Sequence, residues 1–335
     1  METSSLILTR TMRELGLDPR VLVDRERRGE LHRVRHGSYM RVAEWDTLDE
    51  RQRHGMRACS WALSSTAAPV FARESAALLW GLPLASCPSK PTVLTSDTSR
   101  GRSRGDIRRV RGLDRAVEEV VAVGGLLVTS KSRTVLELAS RLSFPWSLAI
   151  VDAAFRSSRP NPDGSWNARK PWGPPCSPEE LAVASQGLLS RAGEQRAMAV
   201  ARLGSGLSES AGESLSRAQM HLLGFQIPEL QSVFVLDDGT DARADFHWRD
   251  AGIVGEFDGK EKYYRQDWSP LTPQERVFAE KRREDALRAL GLKVVRWTWS
   301  DLRRPAHLAG ILTRAGVPRN KRHSPGTQGI GNRER

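Results

Sequence analysis

The sequence predicts a multidomain chain of mixed α+β and α/β class. Three observations carry this expectation. The amino-terminal residues read as helix, helix, basic hairpin. A stretch rich in Pro, Gly, Ser and Asn, Ser157 to Pro178, divides two patterned halves. From Leu207 onward the pattern runs helix, three strands, helix, strand. A chain of 335 residues has room for two or three domains with proper cores. The expected divisions are a winged helix-turn-helix at 1–45, a mixed α/β domain at 46–157, a linker with connecting helices at 158–206, an α/β domain at 207–317 and a disordered basic tail at 318–335.

Leu6 to Leu17 reads as a short helix with Leu8, Met12 and Leu15 on one side. Asp18-Pro19 supplies an N-cap and first position for a second helix, Pro19 to Arg28, which Gly29 ends. Leu31 to Arg35, a His36-Gly37 turn and Ser38 to Val42 form a hairpin. Six arginines against Glu26 and Glu30 give the segment Arg25 to Arg41 a local charge of +4. A surface of this kind meets the phosphates of duplex DNA first, which makes Arg20, Arg25, Arg27, Arg28, Arg33 and Arg35 the candidate DNA contacts, with base reading from Arg20 or Arg27. A small folded cap that binds protein is the other use of such a segment.

Further on, helix patterns (Ala72 to Trp80, Ser132 to Leu142, Pro145 to Phe155) alternate with strands (Thr92 to Thr95, Asp106 to Arg111, Leu126 to Thr129). Arg100, Arg102 and Arg104, between Gly101 and Gly105, make a basic surface loop. The amino-terminal pattern, with Glu74-Ser75-Ala76-Ala77-Leu78-Leu79-Trp80-Gly81-Leu82-Pro83 and Val128-Thr129-Ser130-Lys131-Ser132-Arg133-Thr134-Val135, resembles the AbiEi family over roughly Met1 to Ser157. The resemblance implies a DNA-binding antitoxin that represses a type IV toxin–antitoxin operon, with a cognate toxin protein as partner.

In the carboxy half, Ser208 to Leu223 reads as a helix with a capping-box spacing at Ser210 and Glu213. A strand (Ser232 to Leu236) and an Asp237-Asp238-Gly239 turn follow. Arg243 to Trp248 and Gly252 to Asp258 then alternate as two strands about a turn at Arg249 to Gly252. Side chains two apart share a face, so Asp245 and His247 are expected to point one way and Glu256 and Asp258 together. Pairing Trp248 with Ile253 sets Asp245 opposite Glu256, with Cβ atoms roughly 5 Å apart. Three carboxylates on one surface repel unless a cation binds, and an oxygen-only set favours Mg²⁺ or Mn²⁺. Thr272-Pro273-Gln274-Glu275 opens a helix that runs to Leu290 and stops at Gly291. Lys293 to Trp299 is the last strand.

These residues resemble the PD-(D/E)XK nuclease superfamily, most closely its Vsr-like branch with a Glu-x-Asp-Gly strand, over Leu207 to about Ala315. The resemblance implies a restriction-endonuclease-like core and metal-assisted phosphodiester hydrolysis. Asp245, Glu256 and Asp258 would hold Mg²⁺ or Mn²⁺, with Glu213 matching the helix Glu of that pattern or serving only as the helix cap. Asp258 stands where most of the superfamily has Lys, and Lys260 is positioned to replace that charge. His247 has two readings, general base or structural hydrogen bond. Four of the eight lysines fall in this region of an arginine-dominated chain, among them Lys260, Lys262 and Lys281. With Arg282, the latter two are candidate phosphate contacts.

A net charge of +12 and a pI near 10.3 favour a polyanionic partner, double-stranded DNA before membrane. No apolar run approaches the roughly 20 residues of a membrane helix, no signal peptide is visible, and Cys59, Cys87 and Cys176 are too dispersed for a disulfide framework or a zinc spacing. The expected compartment is the cytoplasm. The sequence reading is therefore a DNA-binding, antitoxin-like regulator carrying a metal-dependent endonuclease domain. The alternative is a non-enzymatic repressor whose carboxy domain binds only DNA or a protein.

Overall fold

The computed structural model describes residues 5–95, 105–111, 120–156, 173–186, 190–236, 238–259 and 272–320, without the side chains at 273, 276, 277, 279 and 280. The loop with Arg100, Arg102 and Arg104, most of the Pro-rich stretch, Lys260, Lys262 and the tail beyond Asn320 lie outside the described residues. The chain forms two compact units, Met1–Gly206 and Leu207–Arg335.

The first unit opens with β1 (Ile7–Leu8), α1 (Thr9–Glu14), α2 (Arg20–Arg27), β2 (Leu31–Arg35) and β3 (Ser38–Arg41). The three strands form one sheet in the order β1-β3-β2. The helix expected from Leu6 begins only at Thr9, because Ile7 and Leu8 pair with Tyr39 and Ser38 instead. Leu22 of α2 is buried with Leu31 and Tyr39, and Ile7 and Met12 close over them. Two further helices follow, α3 (Val42–Thr47) and α4 (Glu50–Ser64). A core of Val34, Met40, Trp45 and Met56 unites the hairpin with both. A division at residue 45 would cut through α3 and this core.

A five-stranded sheet comes next, built from β4 (Val70–Phe71), β5 (Thr92–Thr95), β6 (Arg108–Arg111), β7 (Val120–Val123) and β8 (Leu126–Thr129) in the order β6-β5-β4-β8-β7. The helices α5 (Arg73–Leu79), α6 (Lys131–Ala139) and α7 (Phe144–Phe155) are almost wholly buried on their inner faces. Past the Pro-rich stretch, α8 (Pro178–Ser185) and α9 (Arg191–Ala201) bury Leu181, Ala197 and Val200 in the same unit. They are core helices here, not spacers.

The second unit contains α10 (Ala211–Leu222), β9 (Glu229–Val235), β10 (Asp241–Trp248), β11 (Ile253–Asp258), α11 (Pro273–Ala289), β12 (Lys293–Thr298), α12 (Trp299–Leu302) and α13 (Pro305–Ala315). Its sheet has the order β12-β11-β10-β9, with β12 parallel to β11 and the other pairs antiparallel. Ser210 caps α10, and Thr272 with Glu275 forms a full capping box on α11. The chain after Val317 is not wholly free. Gln226 N–H donates to Pro318 O, Asn320 N–H to Gly224 O, and the Arg319 guanidinium lies over Phe225. Among the described residues no helix is long and apolar enough to cross a membrane.

Candidate functional site

The β10–β11 hairpin turns through Arg249–Ala251 and Gly252, whose φ of 61° needs glycine. Its register pairs Trp248 with Ile253, His247 with Val254 and Phe246 with Gly255. Along β11 the alternation is regular. Gly255 and Phe257 face α10, where a Cβ on Gly212 would strike the Phe257 ring and one on Gly255 the Trp297 ring. Val254 and Glu256 face α11, against Leu287 and Arg283.

On β10 the alternation breaks at Asp245, against the expectation of an uninterrupted period of two. Ala242 and Ala244 pack with Val254 and Leu287, yet Phe246 lies 5.2 Å from Trp297, whose indole N–H donates to Ser216 of α10. The ladder to β9 pairs Ala244 with Ser232 and Phe246 with Leu230. The residue between those partners, Gln231, has φ 54°, rarely adopted outside glycine. The local kink redirects side chains. Asp245 Oδ2 accepts the Phe257 N–H at 2.9 Å, while His247 packs edge-on against Phe234 at 5.0 Å. Asp245 and His247 therefore do not act together.

Glu256 is buried and engaged on both oxygens. Oε1 meets Arg283 Nη2 at 2.7 Å and Oε2 meets Arg296 Nη2 at 2.8 Å. Arg296 reaches Glu284 at 3.3 Å, and Glu284 also binds Arg288. The parallel register sets Arg296 beside Glu256, and Arg283 sits one helical turn before buried Leu287. Neither arginine is among the sequence-predicted site residues: Arg296 reaches Glu256 through the parallel pairing of β12, and Arg283 stands within the dense charges of α11 beside Lys281 and Arg282. The i, i+4 spacing to Leu287 was the available signal.

Glu213 is buried beneath the kink. Its carboxylate accepts the Ser210 hydroxyl (2.8 Å), the Glu209 N–H (2.7 Å) and the Gln231 amide (3.0 Å). Burial first, and then the charge of Asp245, pushes its pKa above the usual carboxylate range. The Ser210 half of the cap is made, with the Glu213 N–H donating to the Ser210 hydroxyl at 3.2 Å, but the Glu213 carboxylate takes the Glu209 N–H in place of that of Ser210. His247 Nδ1 has no hydrogen-bond partner among the described residues and lies 3.7 Å from Glu229, so the expected structural hydrogen bond is not made. Burial lowers its pKa. Asp258 ends its strand half-buried opposite Thr298, and Lys281 and Arg282 are exposed on α11.

The expected three-carboxylate centre is not assembled by these residues. Asp245 spends one oxygen on backbone, Glu256 spends both on guanidiniums, and Glu213 spends both on donors of its own unit. Among the described residues no group of three His, Cys, Asp or Glu is arranged to hold a metal. Asp245, Glu256 and Asp258 in this arrangement do not fit Mg²⁺ or Mn²⁺.

The basic face of the first unit divides into exposed and internally engaged arginines. Arg20, Arg27, Arg28 and Arg33 are exposed. Arg25 and Arg28 pair with Glu30 at 2.8 and 3.2 Å, and Arg27 with Asp24 at 3.3 Å. Exposed pairs of this kind contribute little, so phosphate can replace them. Arg33 contacts the His36 ring at 2.9 Å. Arg35 departs from its expected role as a phosphate contact on the open surface. Its Nε binds Asp106 at 2.8 Å, its Nη1 the Ser60 carbonyl, and its guanidinium covers Trp61 at 4.4 Å.

No family model matches the chain. Two relatives, the uncharacterized protein MT2308 of Mycobacterium tuberculosis strain CDC 1551 and the uncharacterized protein Rv2248 of strain H37Rv, are each 31% identical over 193 residues, which is 57% of this chain. The match covers 62% of the length of these curated relatives. The crystal structure of the RV2827C protein from Mycobacterium tuberculosis aligns with a TM-score of 0.37 at 16% identity, over 63% of this chain and 74% of that one.

Proposed function

We propose that this chain is a duplex-DNA-binding, antitoxin-like regulator. Its first sheet and helices would act as a winged helix, and its second unit would be a nuclease-type fold used for binding rather than cutting. One observation carries the reading: β1-β3-β2 with α2 packed across it through Leu22, the strand order of a winged helix. Arg20, Asp24 and Arg27 fall on one stripe of α2 by their spacing, and both arginines are exposed. A net charge of +12 supports the same partner. The arginine engagement of Glu256 supports a non-cutting second unit. A hydrolytic second unit is the other reading, supported by the Asp245 charge that, after burial, raises the Glu213 pKa.

Gel shifts over a salt series test the proposal. Arg20→Ala with Arg27→Ala should weaken binding and reduce the log–log salt slope by about two, at roughly 0.9 per lost phosphate contact. An unchanged slope would remove α2 from the DNA surface. Plasmid incubated with the full chain and Mn²⁺ should stay intact. Nicking that Glu256→Gln abolishes would restore the nuclease reading.

A further inference from the structure

At the root of the hairpin, β2, α4 and the segment around residues 89–91 and 106 enclose a cavity of about 180 Å³ lined by Val34, Arg35, Arg57, Trp61, Lys90 and Asp106 among others. Three cations line it against a single carboxylate, for a local charge of +2. Two of the three are already held. Arg35 is fixed by Asp106 and Trp61, and Lys90 Nζ donates to the Gly105 carbonyl at 2.7 Å. Arg57 is different. It is half-buried and its guanidinium lies 5.3 Å over the Trp45 ring, but it makes no hydrogen bond or ion pair among the described residues.

A half-buried guanidinium beside another cation, with no protein acceptor among the described residues, is open to an anion in place of water. Burial and then Arg53 lower the Arg57 pKa, with Glu50 opposing them in part. Arg53 lies 5.4 Å over the same Trp45 ring, but it has its own acceptors, donating to the Trp45 carbonyl at 3.3 Å and lying 3.9 Å from Asp46. At roughly 30 Å³ per water, the cavity has room for a tetrahedral oxyanion with several waters. Asp106 sits at the Arg35 side and is consumed there, so it does not neutralise Arg57.

We infer that this cavity is a phosphate-binding site in which Arg57 is the acceptor-seeking cation and Lys90 flanks it, while Arg35 stays with Asp106. Resting on the DNA-binding reading above, it takes a backbone phosphate of the duplex engaged by α2, extending the footprint onto α4. The same chemistry would accept the phosphate of a free nucleotide.

Arg57→Gln with Lys90→Gln separates these sources, and both side chains can be changed without touching the Arg35–Asp106 pair. The first arm is the salt series of the gel shift on the full chain. The variant should lose about one unit of slope, at roughly 0.9 per phosphate contact, equivalent to a roughly 3.5-fold smaller loss of affinity between 50 and 200 mM salt, with an unchanged melting temperature. The second arm is the thermal shift of the DNA-free chain with inorganic phosphate or AMP. Wild type should gain melting temperature and the variant should not. If the duplex does not bind wild type at all but phosphate or AMP still protects only the wild type, the DNA reading fails and the phosphate site stands. A variant with the wild-type salt slope and the wild-type phosphate response overturns the site.

Discussion

Two arginine-rich regions of this molecule use the same residue in opposite ways. In the second unit Arg283 and Arg296 converge on Glu256 and neutralise a carboxylate buried between sheet and helix. In the first unit Arg57 is half-buried with no acceptor among the described residues, although Arg35, in the same cavity lining, has Asp106. The contrast teaches that counting arginines locates a polyanion surface poorly in a chain that carries 44 of them. What separates an internal counter-ion from a ligand-seeking cation is whether an acceptor lies within reach, because desolvating a guanidinium costs energy that a paired carboxylate returns and open packing does not.

The sharpest way to break the comparison is Glu256→Gln. Removing the charge leaves two guanidiniums facing a neutral amide. Losing one partner of a buried pair costs about 3–5 kcal/mol, and the partial exposure of both arginines sets the expectation near the low end. Denaturant unfolding of the full chain with chelator present should show the loss. A cluster of mutually repelling carboxylates predicts the reverse, a metal-free protein stabilised by the substitution, so a gain would overturn the arginine pairing.

A smaller effect sharpens the contrast inside the first unit. Arg35→Ala deletes a charge-assisted hydrogen bond to Asp106 and the cover over Trp61, an expected loss of about 1–2 kcal/mol because Asp106 stays partly hydrated. Arg27→Ala, which removes only an exposed pair, should change stability by less than about 0.5 kcal/mol. Equal costs in thermal unfolding would place Arg35 back among the solvent-facing arginines.

Much of the second unit was legible in the sequence. The hairpin register follows from alternating residues flanking a turn that ends in glycine, and α11 from Thr272, Pro273 and Glu275, because local chemistry dictates both. What was not legible depends on non-local pairing. That β12 lies parallel beside β11 sets Arg296 against Glu256, and nothing in either strand alone announces it. The kink at Asp245 arises across the ladder at Gln231, so an alternation rule applied to one strand failed there. In the first unit α4 carried its own signal, the Asp49–Gln52 capping box, but its dense arginines hid the buried stripe of His54, Ala58 and Cys59. Ile7 and Leu8 fit a helical stripe equally well, and the partner strand at Ser38 and Tyr39 decided otherwise.

The smallest expected effect concerns the carboxylate without a cation. Glu256 has two guanidiniums, whereas among the described residues Glu213 has only neutral donors and feels the charge of Asp245. Burial, then Asp245, raises its pKa above the ordinary 4.5. The native state therefore holds a proton that the unfolded chain releases, and stability falls as pH rises from 4.5 through the folded value, flattening above it. The slope stays below the one-proton limit of about 1.4 kcal/mol per pH unit. Glu213→Gln carries a cost that does not vary with pH, so the difference between wild type and variant across a pH series isolates the effect. That difference should shift in favour of the variant with rising pH, and Asp245→Asn should shallow it. A shift the other way would mean that the three donors outweigh burial and hold Glu213 ionised.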